Sequence, residues 1–311
     1  MREYLSKEET NALRGVAALM VVAAHYVQRI NQLSLPVTIP LIEKLGRYGV
    51  AVFFLCSAYG LMESTLRSEN VDGKIFWRKR LRSVFVPYWL LQALSLLVLP
   101  MERKILAWEV LIEFTGIKHW YIFVCFFLYL LFYLSAKYQK KHILICCLVG
   151  ISILNLLLMA VGRVPDYWYS SNYAFLVGLI VSKYKETILE HICWKSLACA
   201  IVLFLISSVL YAKFSHIWVV YFIFKNLSAI FWAVVVVLAI WYVPLKHMWL
   251  QTLGNSSIFL YVIHLNIFNA MEYFQMESLI ALSAGVCLSV IISCFLAYVY
   301  RVACRGIQKH L

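Results

Sequence analysis

The sequence predicts an all-α integral membrane protein, a bundle of about ten transmembrane helices with both termini in the cytoplasm. Two observations carry the fold class. Hydrophobic residues make up 63% of the 311 positions and charged residues only 14%, against about 45–50% and about 25% in soluble domains. The apolar residues also fall in long blocks without alternation, the pattern of helices that are apolar all round. A water-soluble core of this size cannot bury so much apolar surface. Soluble enzymes, secreted disulfide scaffolds and nucleic-acid binders are thereby excluded.

A spanning helix needs about 20 mostly apolar residues, and ten stretches meet or approach that length. The first, 13–30, follows the polar segment MREYLSKEET, whose three Glu and the nearby Arg14 predict an uncleaved signal-anchor. The second, 47–65, and the third, 83–100, flank the longest polar stretch, Leu66 to Ser83. The fourth, 119–136, opens on His119-Trp120-Tyr121, and the fifth, 142–162, is almost wholly apolar. The sixth, 167–182, and the ninth, 256–271, are short. The seventh, 194–211, and the tenth, 278–300, are plain apolar runs. The eighth, 225–243, is blurred by the run Phe214 to Phe224, which reads as an interfacial or re-entrant piece. The chain reads as a single domain, 1–311, with no soluble appendage and no internal repeat.

The net charge of +13 is mostly topology. Counting cations at span ends with the adjoining loop, the two termini and the even-numbered loops carry 18 Lys and Arg. The odd-numbered loops carry 8, and Arg14 and Lys225 complete the 28. The positive-inside rule then puts both termini in the cytoplasm. The nine cysteines lie in or beside spans without a CxxC pair, so no zinc site or disulfide framework is indicated and no metal is expected.

Ionisable residues inside spans are costly and functional by default. Arg14 and His25 share the first span, eleven residues apart. At about 100° and 1.5 Å per residue they lie on one helix face, about 16 Å apart along the axis. Two readings stay open for each: Arg14 snorkels to the interface or serves a site, and His25 bonds a neighbouring helix or acts as a base. His264, in YVIHLNIF, needs a polar partner and reads as an accessory site residue or as an interhelical hydrogen bond. Lys225 reads as a snorkelling boundary residue, and Glu63 as the offset to a nearby cation. Lys79, Arg80 and Arg82 sit in KIFWRKRLRSVFVPYW, either a belt on anionic headgroups or a pocket for a phosphorylated cytosolic ligand.

Together these residues carry a resemblance. Arg14-x10-His25 resembles the first-helix motif of the acyltransferase-3 family, membrane enzymes that commonly O-acetylate cell-surface sugars. Gly49 to Tyr59 (GVAVFFLCSAY) is similar to the family's GV-x-x-FF-x-x-SG-[FY] segment, and Arg80 to Tyr88 to its basic segment ending in Pro-Tyr. His119-Trp120-Tyr121, Phe175-Leu176-Val177-Gly178 and Leu253-Gly254-x-x-Ser257-x-x-x-Tyr261-x-x-His264 match its later patterns. The match runs from residue 11 to about 300. Ala51 and Ala58 stand where the family often has a polar residue and Gly. The family's Arg-x-x-Arg spacing is met by Lys79 with Arg82.

The resemblance implies an acyl-CoA co-substrate, most often acetyl-CoA, with no bound cofactor. It implies a donor site at Arg14, Lys79, Arg80 and Arg82 on the cytosolic side, and a catalytic His25 that takes a proton from a sugar hydroxyl. His119, Trp120 and Tyr121 would meet the carbohydrate acceptor; Ser57, Tyr261 and His264 would support the site. Trp120 and Tyr121 also suit an interfacial aromatic belt. The expected setting is a bacterial plasma membrane, with the lipid bilayer and polysaccharide-biosynthesis machinery as partners. The rival classes are a glycan or lipid-linked sugar transporter or flippase using Arg14 and His25 as a pathway, and a non-catalytic partner of export machinery. A transporter predicts repeats and Gly/Pro-broken helices, which this chain, with 12 Gly and 6 Pro, does not display.

Overall fold

The computed structural model describes residues 4–32, 40–68, 70–98, 107–162, 164–276 and 278–309, and among them the secondary structure is helical throughout. In order the helices are α1 (Lys7–Gln32), α2 (Pro40–Leu66), α3 (Gly73–Arg80), α4 (Val86–Val98), α5 (Ala107–Thr115), α6 (Trp120–Tyr138) and α7 (Ile143–Ala160). They continue as α8 (Tyr173–Lys183), α9 (Lys185–His191), α10 (Trp194–Lys213), α11 (Trp218–Tyr242), α12 (Met248–Asn255), α13 (Ser257–Tyr273) and α14 (Leu279–Lys309). A π-turn, Leu81–Phe85, joins α3 to α4.

Seven of these are long and apolar enough to cross a membrane: Lys7–Gln32, Ile42–Leu66, Trp120–Tyr138, Lys140–Ala160, Trp194–Lys213, Trp218–Tyr242 and Leu279–Gly306. They answer to the first, second, fourth, fifth, seventh, eighth and tenth predicted spans. The other three differ for local reasons. The third begins inside the π-turn, so its α-helical part is α4, with 13 residues; α8 has 11 residues and α13 has 17. At 1.5 Å per residue α8 is about 16 Å long and α13 about 26 Å, against an apolar layer of about 30 Å. The predicted re-entrant run dissolves: Phe214 caps α10, and the residues from Trp218 onward are the first turns of a continuous α11. Residues 99 and 100 of the third predicted span, with Arg2, Arg103, Lys104 and Arg163 of the charge count, lie outside the described residues.

The chain divides into two compact units. One comprises Met1–Thr10, Arg47–Phe76 and Val124–Leu245; the other comprises Asn11–Gly46, Trp77–Phe123 and Lys246–Leu311. In the first unit Ser6 and Glu9 start α1 with a reciprocal capping box: the Ser6 amide donates to the Glu9 carboxylate and the Glu9 amide to the Ser6 hydroxyl. α11 packs along α10 and against α8. Gly178 of α8 lies so close to α2 that a Cβ there would strike the Leu55 carbonyl and crowd the Ala58 methyl. The FLVG match therefore has a packing reason. Glu63 accepts from Ser182 and pairs with Arg67 one turn on, the expected offset. Lys225 does not snorkel: its ammonium is turned inward onto the Asp166 carboxylate and the Tyr221 hydroxyl.

In the second unit α13 packs along α14 and against α4. Gly15 of α1 and Gly254 of α12 face each other's helices. A Cβ on either would collide with the backbone carbonyl of Leu250 or of Asn11 respectively. Gly254 of the Leu-Gly match, and Gly15 next to Arg14, are thus required by close backbone approach. Ile30, Phe268, Met271 and Leu282 close a core between α1, α13 and α14. Large apolar side chains remain exposed along α7, α10 and α14, including Ile153, Leu157, Leu205, Val209, Ile291 and Phe295, as helices in contact with lipid require.

Candidate functional site

The second unit holds the residues that sequence reasoning singled out most strongly. Arg14 and His25 both lie on α1, half-buried, with His25 three turns nearer the helix C-terminus. His264 lies in the middle of α13 with no exposed surface. The two histidines meet: His25 Nδ1 is 2.8 Å from His264 Nε2, with the ring planes 19° apart and the centroids 5.0 Å apart, as an edge-to-edge hydrogen bond requires. His264 Nδ1 in turn lies 2.6 Å from the Leu260 carbonyl oxygen, one helical turn earlier. The interhelical hydrogen bond read for His264 is thus present, and the ring it joins is that of His25. Among the described residues this is the only hydrogen bond of the His25 ring, which leaves Nε2 as the ring atom with no protein partner.

Aromatic contacts carry the site onward. Tyr261, three residues before His264 on α13, packs edge-on against it at 6.2 Å, and also lies 6.2 Å from His119 and 5.2 Å from Tyr121. Phe268 also meets the His264 ring edgewise, at 6.0 Å. Trp120 is half-buried and meets Tyr121 edgewise. His25, His264, Tyr261, His119 and Tyr121 thus form one continuous run of rings.

His119 is buried at the start of α6. Its Nδ1 lies 3.4 Å from the Tyr88 hydroxyl and 3.5 Å from Gln92 Nε2, both on α4. Glu113 of α5 ties these groups together: its carbonyl accepts from Tyr88, and its carboxylate accepts from Gln92 at 3.0 Å and from Lys118. Gln92 and Glu113 were not anticipated from sequence. The signal was available for Gln92, a lone amide in the apolar run VPYWLLQALSLLV. Its pairing with Glu113 depends on how α4 and α5 fold back.

The basic segment occupies the turn before α4. Lys79 is exposed and Arg80 half-buried at the end of α3, and Arg82 lies half-buried within the π-turn. The wide turn has a local cause. The Val86 amide reaches back to the Leu81 carbonyl, and residue 87 is proline, which has no amide to donate. The Arg82 carbonyl is satisfied instead by the Tyr300 hydroxyl of α14, at 2.8 Å. Ser57 belongs to the first unit, where it accepts from the Tyr129 hydroxyl at 3.4 Å. Among the described residues no group of three or more His, Cys, Asp or Glu could hold a metal ion.

Chemically, the run of rings presents an imidazole whose one nitrogen is fixed by protein and whose other is open, in an apolar interior. That is the equipment of a general base. A family model described as an acyltransferase domain, that of the acyltransferase-3 family, matches residues 8–299, nearly the whole chain. No curated protein and no solved structure matches.

Proposed function

The chain belongs to the acyltransferase-3 family and is a multi-pass membrane acyltransferase, and we propose that it moves an acetyl group from cytosolic acetyl-CoA to a hydroxyl of a cell-surface or lipid-linked carbohydrate. The observation that carries this reading is the interior contact of His25 with His264, which holds one ring nitrogen of His25 and leaves the other open.

In the proposed reaction His25 Nε2 takes the proton of the acceptor hydroxyl as its oxygen attacks the thioester carbonyl carbon. The carbon–sulfur bond breaks, and the departing CoA thiolate recovers the proton from the imidazolium. The products are an acetyl ester and free CoA, with His25 restored. Lys79, Arg80, Arg82 and Arg14 suit the CoA phosphates, for which guanidinium groups offer paired donors. His119, Trp120 and Tyr121 supply ring faces and edges for the sugar. The same reading sets ten crossings in a bacterial plasma membrane, with α3 to α4, α8 and α13 completing the count and both termini cytoplasmic. Reporter fusions at the two termini test it, since seven crossings would place them on opposite sides.

The decisive experiment compares wild-type, His25→Ala and Arg14→Ala proteins at equal abundance, measuring ester acetyl on the surface glycan and acetyl-CoA consumption by purified protein. Full acetylation by His25→Ala would sink the proposal. A transporter or an export partner would consume no thioester. If Arg80→Ala and Arg82→Ala bind acetyl-CoA as tightly as wild type, those side chains return to the headgroup belt.

A further inference from the structure

We infer that His264 is a positioning residue which fixes the tautomer of His25, so that Nε2 is the proton-accepting atom. This rests on the reading of His25 as the base and goes beyond it. The argument starts at the backbone. The Leu260 carbonyl can only accept, so the hydrogen on that 2.6 Å contact belongs to His264 Nδ1. A neutral imidazole protonated at Nδ1 is bare at Nε2. His25 Nδ1, 2.8 Å from that bare nitrogen, must then be the donor. The neutral His25 ring is therefore protonated at Nδ1 and carries its lone pair on Nε2. The fold sets this tautomer through two hydrogen bonds whose origin is a helix carbonyl.

The surroundings keep the relay from reversing. His264 is fully buried, so water cannot exchange for either partner. Tyr261 and Phe268 pack edge-on against its ring, at 64° and 89°, and oppose the rotation that would swap its nitrogens. When His25 Nε2 receives a proton, Nδ1–H remains donated to His264 and the hydrogen bond becomes charge-assisted, hence stronger. No proton leaves His264. The logic is that of a base oriented by a third group, with a neutral ring in place of a carboxylate.

The test uses full-length protein, labelled with 15N-histidine, in lipid nanodiscs. The His25 resonances are assigned by their loss in His25→Ala, and ring 15N shifts and couplings report which nitrogen carries hydrogen. Wild-type His25 is expected to be protonated at Nδ1 and bare at Nε2. His264→Leu should scramble that preference and slow acetyl transfer by about 10²–10⁴-fold, the size of a general-base contribution, with KM for acetyl-CoA nearly unchanged. His264→Gln, which keeps an acceptor for Nδ1–H, should restore the tautomer and part of the rate. His25 protonated at Nε2 in wild type would overturn the inference, as would a His264→Leu protein with wild-type tautomer and rate. A fully active His25→Ala protein would instead remove the base reading itself, whatever the tautomer.

Discussion

Two buried polar networks, one in each unit, are built in opposite ways. In the first, the charges close on one another. Lys225 donates to Asp166 and to the Tyr221 hydroxyl. Arg47 donates to the Lys225 carbonyl at 2.7 Å, to Ser228 at 3.0 Å and to Tyr48 at 2.8 Å, with its guanidinium over the rings of Tyr48 and Tyr211. In the second, the buried histidines form a chain that runs from a backbone carbonyl through two rings and stops at an open nitrogen. A closed network holds helices together; an open one leaves a group for a reaction.

Substitutions that treat the two networks alike should separate them. The largest effect is expected from His25→Ala, which should cut acetyl transfer by about 10²–10⁴-fold, with only a small drop in the thermal midpoint of the purified protein, about 1 kcal/mol for the donor that buried His264 loses. Lys225→Met should do the reverse. Removing one partner of a buried pair costs about 3–5 kcal/mol, toward the lower figure here because Asp166 keeps a third of its side-chain surface. The midpoint should drop and turnover per folded molecule should hold. Adding Asp166→Asn should recover most of the loss, and failure to recover would show that the network is not a closed pair. Tyr300→Phe, which leaves the Arg82 carbonyl unserved, should cost about 1 kcal/mol and weaken acetyl-CoA binding if the π-turn presents Arg82.

The smallest effect is a pH limb. Burial alone would raise the Asp166 carboxyl, but the hydrogen bonds from Lys225 and Tyr221 outweigh it and hold the carboxyl below its ordinary range. A depressed carboxyl contributes stability above the unfolded value of about 3.9, and that contribution is lost as pH falls through the folded one. Thermal midpoints should decline below about pH 4 in wild type and decline less in Asp166→Asn.

Much of this was legible in the sequence. Long apolar blocks determine that helices form and that they face lipid, and a shared helix face for Arg14 and His25 follows from spacing alone. The histidine pair was not legible as a pair, because His25 and His264 are 239 residues apart and only packing of α1 against α13 joins them. Lys225 was misread because a cation near a span end usually reaches water, and nothing local announces a carboxylate 59 residues earlier. α8 and α13 fell short of spanning length because flanking turns claimed their ends, and element ends are where apolar runs carry least information.

The π-turn before α4 has one more consequence. It accommodates one residue beyond what an α-turn holds, so it acts as a phase shift: everything after it is rotated by about 100° about the axis. Tyr88 and Gln92 reach His119 and Glu113 from that shifted phase. Shortening the segment by one residue would leave the helix, its composition and its hydropathy nearly intact, yet would point the wall of the site elsewhere. In this chain a helix can therefore keep its length and composition and still lose its partners.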